Sequence, residues 1–164
     1  MIVSNSSPII YFSRIGKLTF LREVYDELLI PQGVYKELVE EGTGLYGVNA
    51  IKKAISQGWI KKETVKIDFD YEAEGIEEID AEVIVLAKKY DLPLLSNDKA
   101  LILCAKAHGV TTKWLTMSVI EGIDKGVISK KEAEKLLVQL VDSGLRIRSE
   151  VFAELLKMIE ERSN

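Results

Sequence analysis

With 164 residues, 47% of them apolar and 29% charged, the chain is long enough to bury one sizeable core and has the composition of an ordinary globular domain. Its net charge of −4 and pI near 5.2 argue against a general nucleic-acid coat protein, which is usually basic. Short apolar runs broken by charge leave no segment long enough to span a bilayer, and Met1-Ile2-Val3-Ser4-Asn5 lacks the basic and long apolar regions of a signal peptide.

Taken in order, Met1 to Val3 reads as a short buried strand. Ser7-Pro8 then predicts a helix start, with Ser as N-cap and Pro at the first helical position. Leu18, Leu21, Val24, Tyr25 and Leu28 recur at helical spacing, and Leu28-Leu29-Ile30 is an apolar segment closed by Pro31. The next helix carries Val34, Tyr35, Leu38 and Val39 on one face, with Glu37 beside it. Glu41 to Gly44 is a loop, Asn49 to Gln57 a helix, and Trp59-Ile60 and 65–69 are edge strands or extended segments. The acidic run 68–78 reads as a surface loop.

The clearest helical stripe is Ile79, Val83, Leu86, Ala87 and Tyr90, with Asp80 in the first turn, where a carboxylate suits the helix dipole. Glu82 points elsewhere on that helix and is expected to be solvated. A strand over 92–96 ends at Asn97-Asp98, a helix runs from Lys99 to His108 and stops at Gly109, and Val110 to Thr112 is a further strand. Ser129 and Glu132 form a capping-box pattern ahead of Leu136, Leu137, Leu140 and Val141. After Gly144 a last helix holds Val151, Leu155, Met158 and Ile159. No linker or repeat interrupts the chain, so residues 1–164 read as one domain, with 129–164 as a helical extension packed on it.

Alternation of strand and helix predicts an α/β fold: a parallel sheet covered on both faces, three layers in all. Ligands of such sheets bind at the carboxyl ends of the strands. Asn5 and Asp98 follow strands, and Glu37 and Asp80 sit near helix starts. Together these four oxygen-bearing side chains make a plausible cage for a hard divalent cation. Each also has an ordinary local role: Asp80 as a first-turn acid, Asp98 as an N-cap, Glu37 as a solvated residue and Asn5 as a turn former. Only their joint placement speaks for a site.

Cys104 is the sole cysteine, which rules out an internal disulfide and fits a reducing, cytoplasmic setting. Within Ala100-Leu101-Ile102-Leu103-Cys104-Ala105 it reads as a small buried apolar residue. With His108 the only histidine, zinc is disfavoured. Lys88-Lys89 and Lys130-Lys131 read as solvated faces, and Trp114, Tyr11 and Tyr35 as core aromatics that could otherwise stack on bases.

Four stretches, Ile2 to Ile10, Ile30 to Leu38, Asp80 to Ala87 and Leu94 to Asp98, together resemble the PIN-domain family, the VapC-like ribonuclease and toxin superfamily. The Ser-Pro after the first strand, the Pro31-Gln32-Gly33-Val34-Tyr35-Lys36-Glu37-Leu38 run and the helical tail resemble one prokaryotic branch of it. The resemblance implies a three-layer PIN-like fold. It also implies cleavage of single-stranded RNA by water activated on Mg²⁺ or Mn²⁺, held by Glu37, Asp80 and Asp98 as catalytic carboxylates with Asn5 as a fourth ligand. Ser6, Ser7, Asn97 and Lys99 are the substrate-binding positions it implies. Expected partners are RNA, a small antitoxin-like protein if the chain is the toxin of a toxin–antitoxin pair, and a second copy of the chain through helices at 16–28 and 46–56.

Two departures bear on activity. Asn5 stands where the family usually has an acid, so the cation site loses one charge and weak binding is expected. The Ser or Thr often found after the strand near 112 has only Thr112 and Thr116 as candidates. The alternatives are a catalytically degenerate PIN fold that binds RNA or protein, and an unrelated receiver-type α/β module. The latter lacks a clear phospho-acceptor Asp and matching Lys.

Overall fold

The structure, a computed structural model, describes residues 1–42 and 45–163; Thr43 and Gly44 of the expected loop, and the last residue, Asn164, lie outside them. Five parallel strands, β1 (Ile2–Ser4), β2 (Leu28–Pro31), β3 (Ile60–Glu63), β4 (Leu94–Ser96) and β5 (Thr112–Trp114), form a sheet in the order β3-β2-β1-β4-β5. Its register pairs Val3 with both Leu29 and Leu94. A parallel sheet covered on both faces needs apolar residues on both, which is why β1, β2 and β4 read as near-continuous apolar runs and are buried throughout. The β3 edge carries Lys61 and Lys62 in solvent, a charged edge that discourages further strand pairing.

The strand order decides where a site can form. From β1 the chain first builds outward through β2 and β3, then returns to add β4 and β5 on the other side. The crevice at the carboxyl ends of β1 and β4 is thus a topological switch point. The order also differs from the 2-1-3-4-5 arrangement of a receiver-type sheet, which removes that alternative.

Helices α1 (Ser6–Arg14), α2 (Leu18–Tyr25), α3 (Gln32–Tyr35), α4 (Val48–Ser56), α5 (Glu78–Tyr90), α6 (Lys99–Ala107), α7 (Met117–Asp124), α8 (Lys130–Asp142) and α9 (Ser149–Glu160) complete the described elements. A π-helical turn, Lys36–Glu40, continues α3. The wide turn places Glu37 in its first residues, and such turns are frequent at functional sites. Helix α5 leaves the carboxyl edge of the sheet and packs across β2, β1 and β4. Its first turn therefore lies at the same edge as the strand ends.

Several boundaries differ from the sequence reading. The first helix begins at Ser6 with Asn5 as its N-cap residue, so Pro8 is the third helical residue, not the first. Leu28 belongs to β2 because its backbone pairs with β1 and β3. No strand forms over 65–69, and the last strand lies two residues later than expected, over Thr112–Trp114. Trp114 is consequently exposed, not core. Helix α7 has no counterpart in the sequence reading; Val119, Ile120 and Ile123 pack it into the core beside Phe20. Gly122 allows that approach, since a Cβ there would meet the Phe20 ring at 2.7 Å.

The tail joins the same core. Ser129 and Glu132 make both bonds of the capping box: the Glu132 N–H donates to Ser129 Oγ (3.2 Å) and the Ser129 N–H to Glu132 Oε2 (2.7 Å). Ala133, Leu136, Leu137, Leu140, Leu155 and Ile159 are buried within one cluster that also holds Ile2, Val24 and Leu28. The apolar stripes of α2 and α4 are likewise consumed inside the chain, leaving Leu45 and Tyr46 as exposed large apolar side chains beside α4.

Candidate metal centre at the carboxyl edge of the sheet

Asn5, Ser6, Ser7, Glu37, Glu77, Asp80 and Asp98 line one cleft of about 420 Å³. They arrive from four places in the chain: the β1–α1 junction (Asn5, Ser6, Ser7), the π-helical turn (Glu37), the start of α5 (Glu77, Asp80) and the N-cap of α6 (Asp98). The Asn5 N–H reaches Leu95 O (3.4 Å), which holds the end of β1 beside the end of β4. The Asn5 amide makes no cap bond to α1; its Oδ1 accepts a 3.3 Å bond from the Ser7 hydroxyl. Ser7 Oγ in turn accepts from the Asn97 backbone N–H at 3.3 Å, linking the two strand ends again.

Asp98 is the N-cap residue of α6, as its local sequence suggests: Oδ1 accepts from the Leu101 N–H at 2.9 Å. The cap occupies one oxygen and aims the carboxylate at the strand ends. Glu37 is held by the hydroxyl of buried Ser6, which donates to Glu37 Oε2. Ser6 is thus tied to a carboxylate and is not free on the cleft wall. Asn97 and Lys99 flank Asp98 but neither lines the cleft. Thr112 and Thr116 also lie outside its lining.

Asp80 sits in the first turn of α5, half-buried and surrounded by acids. Burial, then the charges of Asp98, Glu77 and Glu37, raise its pKa from the ordinary 3.8 to about 6, partly offset by a backbone hydrogen bond at Glu77. The arrangement is therefore a concentration of negative charge in a partly dry cleft. Its donors are carboxylate and amide oxygens, the set that suits a hard cation such as Mg²⁺ or Mn²⁺.

Glu77 also lines the cleft, although the acidic run 68–78 has no periodicity and reads as a surface loop. The available signal was its position immediately before the apolar stripe of α5. Glu82 also departs from expectation. It is half-buried, and its Oε2 accepts the Gly33 N–H at 2.8 Å, tying α5 to the start of α3 and so to the segment that carries Glu37. A Cβ at Gly33 would lie 2.6 Å from that same oxygen.

Cys104 differs as well. It is only half-buried, and its thiol donates to Glu74 Oε2 at 3.0 Å. Burial and the Glu74 carboxylate push its pKa up to about 12. His108 Nε2 lies 2.7 Å from the same Glu74 oxygen.

A family model described as a PIN domain matches residues 1–161. Two solved structures are similar. One is a PilT N-terminus domain protein from the hyperthermophilic archaeon Sulfolobus solfataricus P2, 15% identical, with a TM-score of 0.50 over 90% of this chain and 98% of that one. The other is a domain of a functionally unknown protein from Methanocaldococcus jannaschii, 26% identical, with a TM-score of 0.46 over 68% of this chain and 89% of that one. No curated protein matches the chain. Among the described residues, no helix is long and apolar enough to cross a membrane.

Proposed function

This chain belongs to the PIN-domain family, and we propose that it is a metal-dependent endoribonuclease acting on single-stranded RNA. One observation carries the reading. Asn5, Glu37, Asp80 and Asp98, up to 93 residues apart, converge on one cleft at the switch point of the sheet. Glu37, Asp80 and Asp98, with the Asn5 amide oxygen, would hold Mg²⁺ or Mn²⁺, directly or through water. Such a cation lowers the pKa of a coordinated water and offsets charge developing on a phosphodiester.

The chain's own residues supply the rest. Ser6 orients Glu37 by donating to it, and the α6 N-terminus orients Asp98. Asp80 is held at an electrostatic cost, because its ionised form is both partly buried and repelled by three neighbours. A cation gains most by relieving that repulsion. Ser7, on the cleft wall, donates to Asn5 Oδ1 and would give its proton to a phosphate oxygen by releasing that bond, while Asn97 and Lys99 serve an RNA strand beyond the rim.

Asn5 favours a second reading, a binding module that holds RNA or protein without cutting, since a neutral ligand leaves the cation less tightly held. Cleavage separates the two. Single-stranded RNA incubated with Mn²⁺ should be cut by the wild type, not by Asp80→Ala purified in parallel, and not in EDTA. Cleavage unchanged in that variant or in EDTA would refute the metal mechanism. No cleavage by either protein, with Mn²⁺ binding retained, would assign the binding role. A small antitoxin-like protein and a second copy of the chain are the protein partners we propose; the exposed Leu45 and Tyr46 lie where either could dock.

A further inference from the structure

Outside the acidic cleft, three side chains of different chemistry meet at one point. Cys104 and His108 are four residues apart on and just beyond α6, and so share one of its faces. Glu74 comes from the segment between β3 and α5. Its Oε2 is 3.0 Å from Cys104 Sγ and 2.7 Å from His108 Nε2, and the three donor atoms all lie within 4.8 Å of one another. Phe69 packs on the His108 ring with centroids 4.3 Å apart, which fixes the imidazole. The thiol and imidazole are half-buried, while Glu74 is open to solvent.

A tetrahedral zinc with bonds of about 2.0–2.3 Å separates its ligand atoms by roughly 3.3–3.8 Å. The two separations from Glu74, 2.7 and 3.0 Å, fall a few tenths of an ångström short of that range, so side-chain rotations that widen them make room for an ion. We propose that Glu74, Cys104 and His108 form a second cation site, for zinc or another borderline divalent transition metal, with water in the fourth position. Sulfur and imidazole nitrogen select such a metal over Mg²⁺ or Mn²⁺, which favour the all-oxygen cleft. The two sites are mechanically joined. An ion on Glu74 fastens the segment 70–77 to α6, and that segment also carries Gly75, Ile76 and Glu77 of the cleft wall.

The test uses the full chain, stripped with EDTA and titrated with Co²⁺ under reducing conditions. Cys104 is the only cysteine, so a thiolate-to-cobalt charge-transfer band reports this site alone. The band should saturate at one Co²⁺ per chain and be displaced by Zn²⁺. Cys104→Ser should abolish it. His108→Ala and Glu74→Gln should weaken Co²⁺ by at least the ~10–100-fold that loss of an outer-shell partner costs. Asp98→Asn, in the other site, should leave the band unchanged. Zn²⁺ should also slow proteolysis within 70–77. Absence of the band in the wild type, or wild-type Co²⁺ affinity in His108→Ala or Glu74→Gln, would overturn the three-ligand site. Glu74→Gln alters an exposed loop side chain, so its result stands even if the helix variants fold poorly. None of these readouts depends on RNA cleavage.

Discussion

Replacing Asp80 by Asn should stabilise the metal-free protein at neutral pH and leave it unchanged near pH 4. The carboxyl has a pKa of about 6 in the folded chain against an ordinary 3.8. Below about pH 4 it is protonated in both states and contributes nothing. Between the two values the unfolded chain releases the proton while the folded chain keeps it. Stability is therefore lost as pH rises through this window and stays lost above it. A shift of about two units corresponds to roughly 3 kcal/mol before screening. Because the cleft is open to water, about 1–2 kcal/mol is the realistic cost. Asn keeps the shape and removes the charge. Urea unfolding in EDTA at pH 4, 5, 6 and 7.5 would measure it. The variant-minus-wild-type difference should grow from near zero to about 1–2 kcal/mol, or about 2–8 °C in Tm for a domain of this size. Taking the difference cancels the titration of groups that do not interact with Asp80. Mn²⁺ should then stabilise the wild type more than the variant. A difference that is flat with pH, or a variant less stable at pH 7.5, would refute the account of Asp80 as a charge confined among other charges.

Asn5→Asp should tighten Mn²⁺ by about tenfold in titration calorimetry, because it restores a carboxylate at the cleft; an unchanged affinity would place Asn5 outside the ligand set. Asp98→Asn should keep the α6 cap yet weaken Mn²⁺, whereas Asp98→Ala should also cost about 0.5–2 kcal/mol of stability in urea unfolding; equal stability losses in both would mean that the cap bond to Leu101 contributes little. Gly33→Ala should cost about 1–3 kcal/mol, since the new Cβ forces Glu82 off the Gly33 N–H, and wild-type stability would show that this tie is dispensable. Leu137→Ala, fully buried in α8, should cost about 2–5 kcal/mol in a single cooperative transition if the tail shares the core; a separate tail transition would show that it does not.

Much of the fold was written locally. Strands buried on both faces must be apolar throughout, so β1, β2 and β4 announce themselves. The stripe of α5, the cap at Asp98 and the capping box at Ser129 are short-range patterns that survive folding unchanged. The order of four polar positions along the chain was enough to nominate Asn5, Glu37, Asp80 and Asp98. Their convergence depends on strand order, a long-range property that no local window contains: only pairing β1 with both β2 and β4 brings residues 5, 37 and 98 to one edge, and only the direction of α5 brings residue 80 there. The same limit hid Glu77, Glu82 and Glu74. Each lies in a stretch that reads as solvated acid until another element arrives beside it: the cleft beside Glu77, the Gly33 N–H beside Glu82, and Cys104 with His108 beside Glu74. An acid's chemistry is set by what surrounds it, and for Glu82 and Glu74 the surroundings come from 30 to 49 residues away along the chain. The helical periodicity of α7 is obscured by the buried polar Thr116 and Ser118 and by Gly122, which the crossing with Phe20 requires because a Cβ there would meet the ring.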